Sequence, residues 1–161
     1  MRDLPFLRLF GCFCGCGEVD GPASVDHEHD FIDAHGDILN QSKIFFFATC
    51  DGKFPTVRPY NAVVEFEDKV YFYTNKRTHA FKQIAENPFV ELCAMISEDR
   101  WLRVGGKVVY DYRPEVKEAM LNANPDLKTM YSVDDKIFEV FYLSNMQATI
   151  HSNNMEPEVI C

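Results

Sequence analysis

A chain of 161 residues, 47% hydrophobic and 14% aromatic, is long enough to bury one core without disulfides or a metal, which excludes a disordered chain and a stapled mini-domain. Its formal charge of -9 is uneven: residues 1–42 carry 2 basic and 8 acidic side chains, whereas residues 43–152 carry 14 and 15. Neither part has the basic excess that a nucleic-acid surface needs, so nucleic acid is not an expected partner.

Residues 1–25 read as a flexible leader, punctuated by Gly11, Gly15, Gly17, Gly21 and Pro22. Its apolar start, Leu4 to Cys16, is broken by Arg8 and lacks the basic n-region and small-residue cleavage site of a signal peptide. No apolar run reaches the roughly 18 residues that span a bilayer, so no membrane partner and a cytoplasmic protein are expected. Cys12, Cys14 and Cys16 form a C-x-C-x-C run without the paired C-x-x-C spacing of a zinc site. Cys50 and Cys93 lie in apolar runs, where a free thiol behaves as a small core residue, and Cys161 is terminal. His27 and His29 lack the i, i+4 spacing of a helical zinc pair, so no metal site is expected.

The folded domain is expected over 26–152, followed by a flexible tail at 153–161. A helix from Asp26 or Asp30 to Asn40 would place Phe31, Ala34, Ile38 and Leu39 on one face. Lys43 to Cys50 predicts a strand closed by the hairpin turn Asp51-Gly52. Thr56 to Glu67 predicts one long strand whose Pro59 marks an edge or a bulge. After a turn at Glu67–Lys69, Val70 to Thr74 is the next strand. Thr78 to Asn87 is a short helix with Phe81, Ile84 and Ala85 facing inward. Strands follow at Phe89–Ile96 and Trp101–Tyr110, with a kink or bulge at Gly105-Gly106. Pro114 opens a helix whose buried face is Val116, Ala119, Met120 and Ala123, and Asn124-Pro125 starts a further turn reaching Tyr131. Lys136–Leu143 and Met146–His151 are two closing strands. Six to seven strands in hairpins, with inserted helices, predict a mainly β fold built as a nearly closed antiparallel barrel.

One stretch offers an anion site. Thr78 stands at a helix start, where free N–H groups and the helix dipole favour negative charge. Lys82 lies one turn further on, and Arg58 on a neighbouring strand adds a planar, bidentate donor. The alternative is that Lys76, Arg77 and Lys82 are solvated surface cations.

The sequence R-P-Y-N-A-V at 58–63, then Y-F-Y-T-N-K-R-T at 71–78 and K-Q-I at 82–84, resembles the FMN-binding split-barrel family of pyridoxamine 5'-phosphate oxidase. It is especially similar to short bacterial members of the nitroimidazole-resistance type, over roughly residues 30–152, including W-x-R at 101–103 and M-Y-S-V-D-D at 130–135. The resemblance implies a homodimeric flavoprotein oxidoreductase, with FMN in a cleft between protomers and a small-molecule substrate. Arg58 and Lys82 would meet the phosphate, helped by Thr78 and Lys76. Pro59, Tyr60 and Asn61 would run along the ring edge, and Tyr73, Thr74 and Asn75 would border the ring and ribityl chain. Trp101 and Arg103 would approach from the other protomer. Tyr60 and Asn61 are the candidates for polarising the ring; no residue is assigned as catalytic acid or base. The family's Arg-Lys pair is replaced here by His79-Ala80, and its C-terminal segment has no counterpart in 151–161, which argues against oxidation of pyridoxamine phosphate. Relatives with this fold also hold the deazaflavin F420 or haem, for which His151 is the candidate ligand while His79 reads as solvent-facing, and a non-catalytic flavin-binding module is the rival of another class.

Overall fold

Short runs of aromatic and β-branched residues separated by tight turns build the strands that dominate the described residues. The computed structural model describes residues 38, 39 and 41–160. The leader with Cys12, Cys14 and Cys16, the pair His27 and His29, most of the first expected helix, and Cys161 lie outside the described residues. Of that helix, Ile38 and Leu39 are helical, and the amide of Ser42 bonds the Ile38 carbonyl at 3.0 Å.

Strands β1 (Phe45–Asp51) and β2 (Phe54–Tyr60) form the expected hairpin. Its loop is Gly52-Lys53, with Gly52 at φ +58°, a conformation that costs glycine little. The long strand expected over Thr56–Glu67 is instead broken at Asn61-Ala62 into β2 and β3 (Val63–Phe66). β3 turns into β4 (Lys69–Asn75) through Glu67-Asp68, both at positive φ, the backbone that suits the twist of a two-residue hairpin. Helix α1 (His79–Glu86) follows, then β5 (Phe89–Met95) and β6 (Arg100–Asp111). Helix α2 (Pro114–Ala123) and the short α3 (Pro125–Lys128) lead to β7 (Phe138–Ser152) and β8 (Glu158–Val159).

The strands form one antiparallel sheet in the order β2-β1-β5-β6-β7-β4-β3, with β8 added to β7. β2 and β3 are the two ends of that order, yet only Asn61-Ala62 separates them in the chain. Two residues reach about 7 Å, so the ends must meet and the sheet must curl on itself. The result is a barrel closed at the seam by covalent backbone instead of a hydrogen-bond ladder: a split barrel, as expected.

Two closing strands were expected at Lys136–Leu143 and Met146–His151, but β7 runs through as a single 15-residue strand. Asn145, at φ 50°, absorbs the irregularity opposite the register shift between Gly105 and Lys107. A Cβ on Gly106 would lie 3.0 Å from Leu143 Cβ and 3.2 Å from the Ser144 carbonyl, so the expected bulge is also a close approach of two backbones. The tail is not all free either: Glu158–Val159 pairs with β7, and the amide of Ile160 bonds the Ala148 carbonyl at 2.9 Å.

Inside the barrel, Phe45, Phe47, Phe72, Leu92, Leu102, Val104 and Phe141 make the main core. Outside it, α2 and α3 cover β4 and β7 through Tyr71, Val116, Met120, Leu121, Leu127, Phe138 and Val140. Thus α2 buries Val116, Lys117, Met120 and Leu121, while Ala119 is half-buried and Ala123 exposed. Larger apolar side chains outbid alanine for the contact. In α1 the buried residues are Ala80, Gln83 and Ile84; Phe81 is half-buried against Tyr110 and Ala85 is exposed. Cys50 and Cys93 are half-buried free thiols on the outer face and not core residues.

Candidate functional site

A cleft of about 280 Å³ opens at the seam, where the end of β2, the end of β4 and the start of α1 converge. It is lined by Arg58, Pro59, Tyr60 and Asn61, by Tyr73, Thr74 and Asn75, by Thr78, His79 and Ala80, and by Tyr131.

The turn that carries α1 to the cleft is dictated locally. Asn75 Oδ1 accepts from the Arg77 amide at 2.8 Å, and the Asn75 carbonyl accepts from the amide and hydroxyl of Thr78 at 2.9 and 2.8 Å. Thr78 is the N-cap: its Oγ1 accepts from the Phe81 amide at 3.2 Å. Its hydroxyl is therefore committed to the turn. The first-turn N–H groups of His79 and Ala80, which have no acceptor within the helix by geometry, are the ones available to an anion.

Arg58 reaches inward from β2 toward α1. Its Nη1 donates to Thr49 Oγ1 at 2.9 Å and its Nη2 to Gln83 Oε1 at 2.8 Å. Thr49 also donates to Gln83 Oε1 at 2.6 Å, and both residues are buried. Both acceptors of Arg58 are neutral, so its orientation is fixed while its charge is left unbalanced. Other cations are neutralised: Lys76 by Glu139 at 2.7 Å, Arg103 by Glu91 at 2.6 Å, and Arg113 by Glu67 and Asp111 at 2.7 and 2.8 Å. No carboxylate lines the cleft.

The remaining walls are aromatic. Tyr60 and Tyr73 lie with ring centres 5.9 Å apart, and Tyr131 stands 6.3 Å from Tyr73 and stacks on Phe138 at 4.9 Å. Burial pushes the phenols of Tyr60 and Tyr73 up from their ordinary value, so both stay neutral. Thr74 presents a buried hydroxyl oxygen beside the Tyr60 phenol.

Eight of the twelve residues singled out in the sequence thus line one cleft; Lys76, Lys82, Trp101 and Arg103 do not. Lys76 is engaged by Glu139, and Lys82 is exposed on α1. Trp101 stacks on His151 at 5.5 Å on the outer face of the sheet. There Arg103, Glu91, Gly105, Gln147, Thr149 and His151 line a separate groove. Sequence reasoning missed Tyr131, His79 and Ala80 in the lining, and Thr49 and Gln83 as the holders of Arg58. Gln83 carried a signal, since it shares the helical phase of Ala80 and Ile84, where a buried amide needs a partner.

An antiparallel barrel split at one seam, with an arginine and aromatic cleft beside the split, defines the split-barrel class. The family model for pyridoxamine 5'-phosphate oxidase matches residues 31–142, and the chain belongs to this family. Among solved structures it is similar to a NimC/NimA family protein from Clostridium acetobutylicum, at 40% identity over 85% of this chain and 98% of that one, with a TM-score of 0.76. A pyridoxamine 5'-phosphate oxidase-related, FMN-binding protein from Nostoc punctiforme shares the fold at TM-score 0.53 and 16% identity, over 80% and 94% of the chains. A heme-binding protein from Mycobacterium smegmatis shares it at TM-score 0.62 and 14% identity, over 88% and 59%. No curated protein matches the sequence. Among the described residues no helix is long and apolar enough to cross a membrane.

Proposed function

We propose that the cleft holds FMN and that the chain is an FMN-dependent oxidoreductase acting as a homodimer on a small organic acceptor. The observation that carries this reading is Arg58: a half-buried guanidinium oriented by two neutral partners and facing a cleft without a carboxylate. Holding a bare cation there costs desolvation that an incoming phosphate offsets. Arg58 and the His79 and Ala80 amides would hold the phosphate, with Lys82 adding a long-reach cation from α1. Thr78 acts by fixing the turn. Pro59, Tyr60, Asn61, Tyr73, Thr74 and Asn75 would flank the ring and ribityl chain. The bound flavin supplies the hydride and electron transfer, while the protein binds, orients and excludes water.

The cleft of about 280 Å³ falls just short of the roughly 300–1,000 Å³ range of ligand pockets, which supports a second wall from another copy. Strand alternation puts Phe46, Val57, Met95, Trp101 and Arg103 on the outer face of the barrel. Phe46, Val57 and Met95 are 49%, 60% and 50% exposed, a patch whose burial would drive pairing. Trp101 and Arg103 then complete the partner's cleft. The cytoplasm is the expected location.

The absorption spectrum of the purified protein, with mass analysis of the cofactor released by heat, tests the reading. Flavin bands near one FMN per chain support it. A colourless protein that takes up no added FMN overturns it, and a Soret band would turn attention to His79, the histidine that lines the cleft.

A further inference from the structure

Tyr131 enters the cleft from the segment after α3, and a directed hydrogen-bond chain ends at its hydroxyl. The Arg77 amide donates to Asn75 Oδ1 at 2.8 Å, which fixes the orientation of that side-chain amide. Asn75 Nδ2 then donates to the Tyr131 hydroxyl oxygen at 2.9 Å. A phenol has one hydrogen to give, and here its oxygen is already serving as the acceptor. Among the described residues no acceptor takes the Tyr131 hydrogen. A donor polarised from behind, in a cleft without a carboxylate, is free for a ligand. Its ring is held by Phe138, stacked at an interplanar angle of 21°, and by Tyr73, so the hydroxyl is pre-positioned at little entropic cost.

We infer that Tyr131 is the hydrogen-bond donor that holds a carbonyl oxygen of a planar, conjugated ring in the cleft, with Asn75 as the residue that aims it. The flat aromatic walls select the ring and the outward-directed hydrogen selects an acceptor atom on it. Two ligands present this chemistry: a carbonyl of the flavin itself, and a quinone-type acceptor beside it. The inference deepens the flavin reading and rests on it for the first of these ligands only.

The test compares wild type, Tyr131→Phe and Asn75→Asp, each checked for an unchanged melting temperature. Two probes are titrated, FMN and the neutral duroquinone, with durene as the matched ring without oxygens. Loss of one hydrogen bond weakens binding about twofold to tenfold. If the flavin carbonyl is the ligand, Tyr131→Phe weakens FMN by that factor and shifts its visible band, with duroquinone unchanged. If the acceptor is the ligand, duroquinone weakens and FMN does not. In that arm Asn75→Asp behaves like Tyr131→Phe, because the carboxylate captures the phenol hydrogen; a tyrosine that merely packs would not respond. Durene binding is unchanged throughout. A wild-type protein that takes no FMN but binds duroquinone through Tyr131 overturns the flavin reading and keeps this one. Equal binding of both probes by wild type and Tyr131→Phe overturns the inference, as does a wild type that binds neither probe.

Discussion

Replacing Arg58 by alanine separates recognition of phosphate from recognition of the ring. The guanidinium makes two internal bonds, at 2.9 and 2.8 Å, yet Thr49 and Gln83 remain bonded to each other at 2.6 Å without it. The fold therefore loses about 1 kcal/mol, two modest bonds partly replaced by water. Affinity for FMN loses more, since a hydrogen bond to a charged group is worth about 1.5–3 kcal/mol, or roughly 10- to 150-fold in Kd. Arg58→Lys keeps the charge but cannot reach both Thr49 and Gln83 from one planar fork, so it falls between wild type and alanine. The assay is fluorescence titration of FMN beside riboflavin, which has the same ring and no phosphate. Arg58→Ala should weaken FMN by the stated factor and leave riboflavin within about twofold. Equal losses for both ligands would refute the phosphate assignment, and no loss for FMN would refute a role for Arg58 altogether.

Gly106→Ala places a methyl 3.0 Å from Leu143 Cβ, and the overpacking should lower stability by about 1–3 kcal/mol in a denaturant melt. Asp111 is held down at about 2, chiefly by hydrogen bonds from Arg113 with a further one from Tyr71, whose own phenol is pushed up to about 12 by burial and that carboxylate. A depressed carboxyl stabilises the fold above its unfolded value near 3.8, and this is lost as pH falls toward 2. Because the Arg113 partner is 44% exposed and so screened by solvent, Asp111→Asn should cost only about 1 kcal/mol at neutral pH, with the gap from wild type closing in acid-unfolding curves below pH 3. Phe46→Glu puts a charge into the outer apolar patch; light scattering should show the proposed wild-type dimer reduced to a monomer, together with weaker FMN binding.

Local chemistry made much of the barrel legible. Asp51-Gly52 announced the first hairpin, Thr78 and Asn87 bracketed α1, and Gly105-Gly106 marked the bulge. What escaped depends on the sheet as a whole. The break at Asn61-Ala62 has no glycine or proline of its own; it exists because the curled sheet brings its two edges together there. Ser144-Asn145 reads as a turn until β6 bulges opposite it and carries the strand through. The same holds for the site. Residues at 58–61 and 73–78 were readable because they follow one another along two strands and a helix start. Tyr131 is more than fifty residues from Asn75, and only the packing of α2 and α3 on β7 delivers it to the cleft.

One of the two edge strands, β2, has a consequence for behaviour in concentrated solution. β2 carries Pro55 and Pro59 on either side of Val57, and all three share one phase of an unbroken pairing with β1. Proline is tolerated there because that phase turns its amide positions away from the neighbour. Two of the three places where the rim would offer an N–H to a stranger therefore offer none, so growth into fibrils by strand-on-strand addition has no template along this rim. The proposed pairing uses a different surface, the broad outer side on which Phe46, Val57 and Met95 stand exposed, so the prolines close this rim without obstructing it.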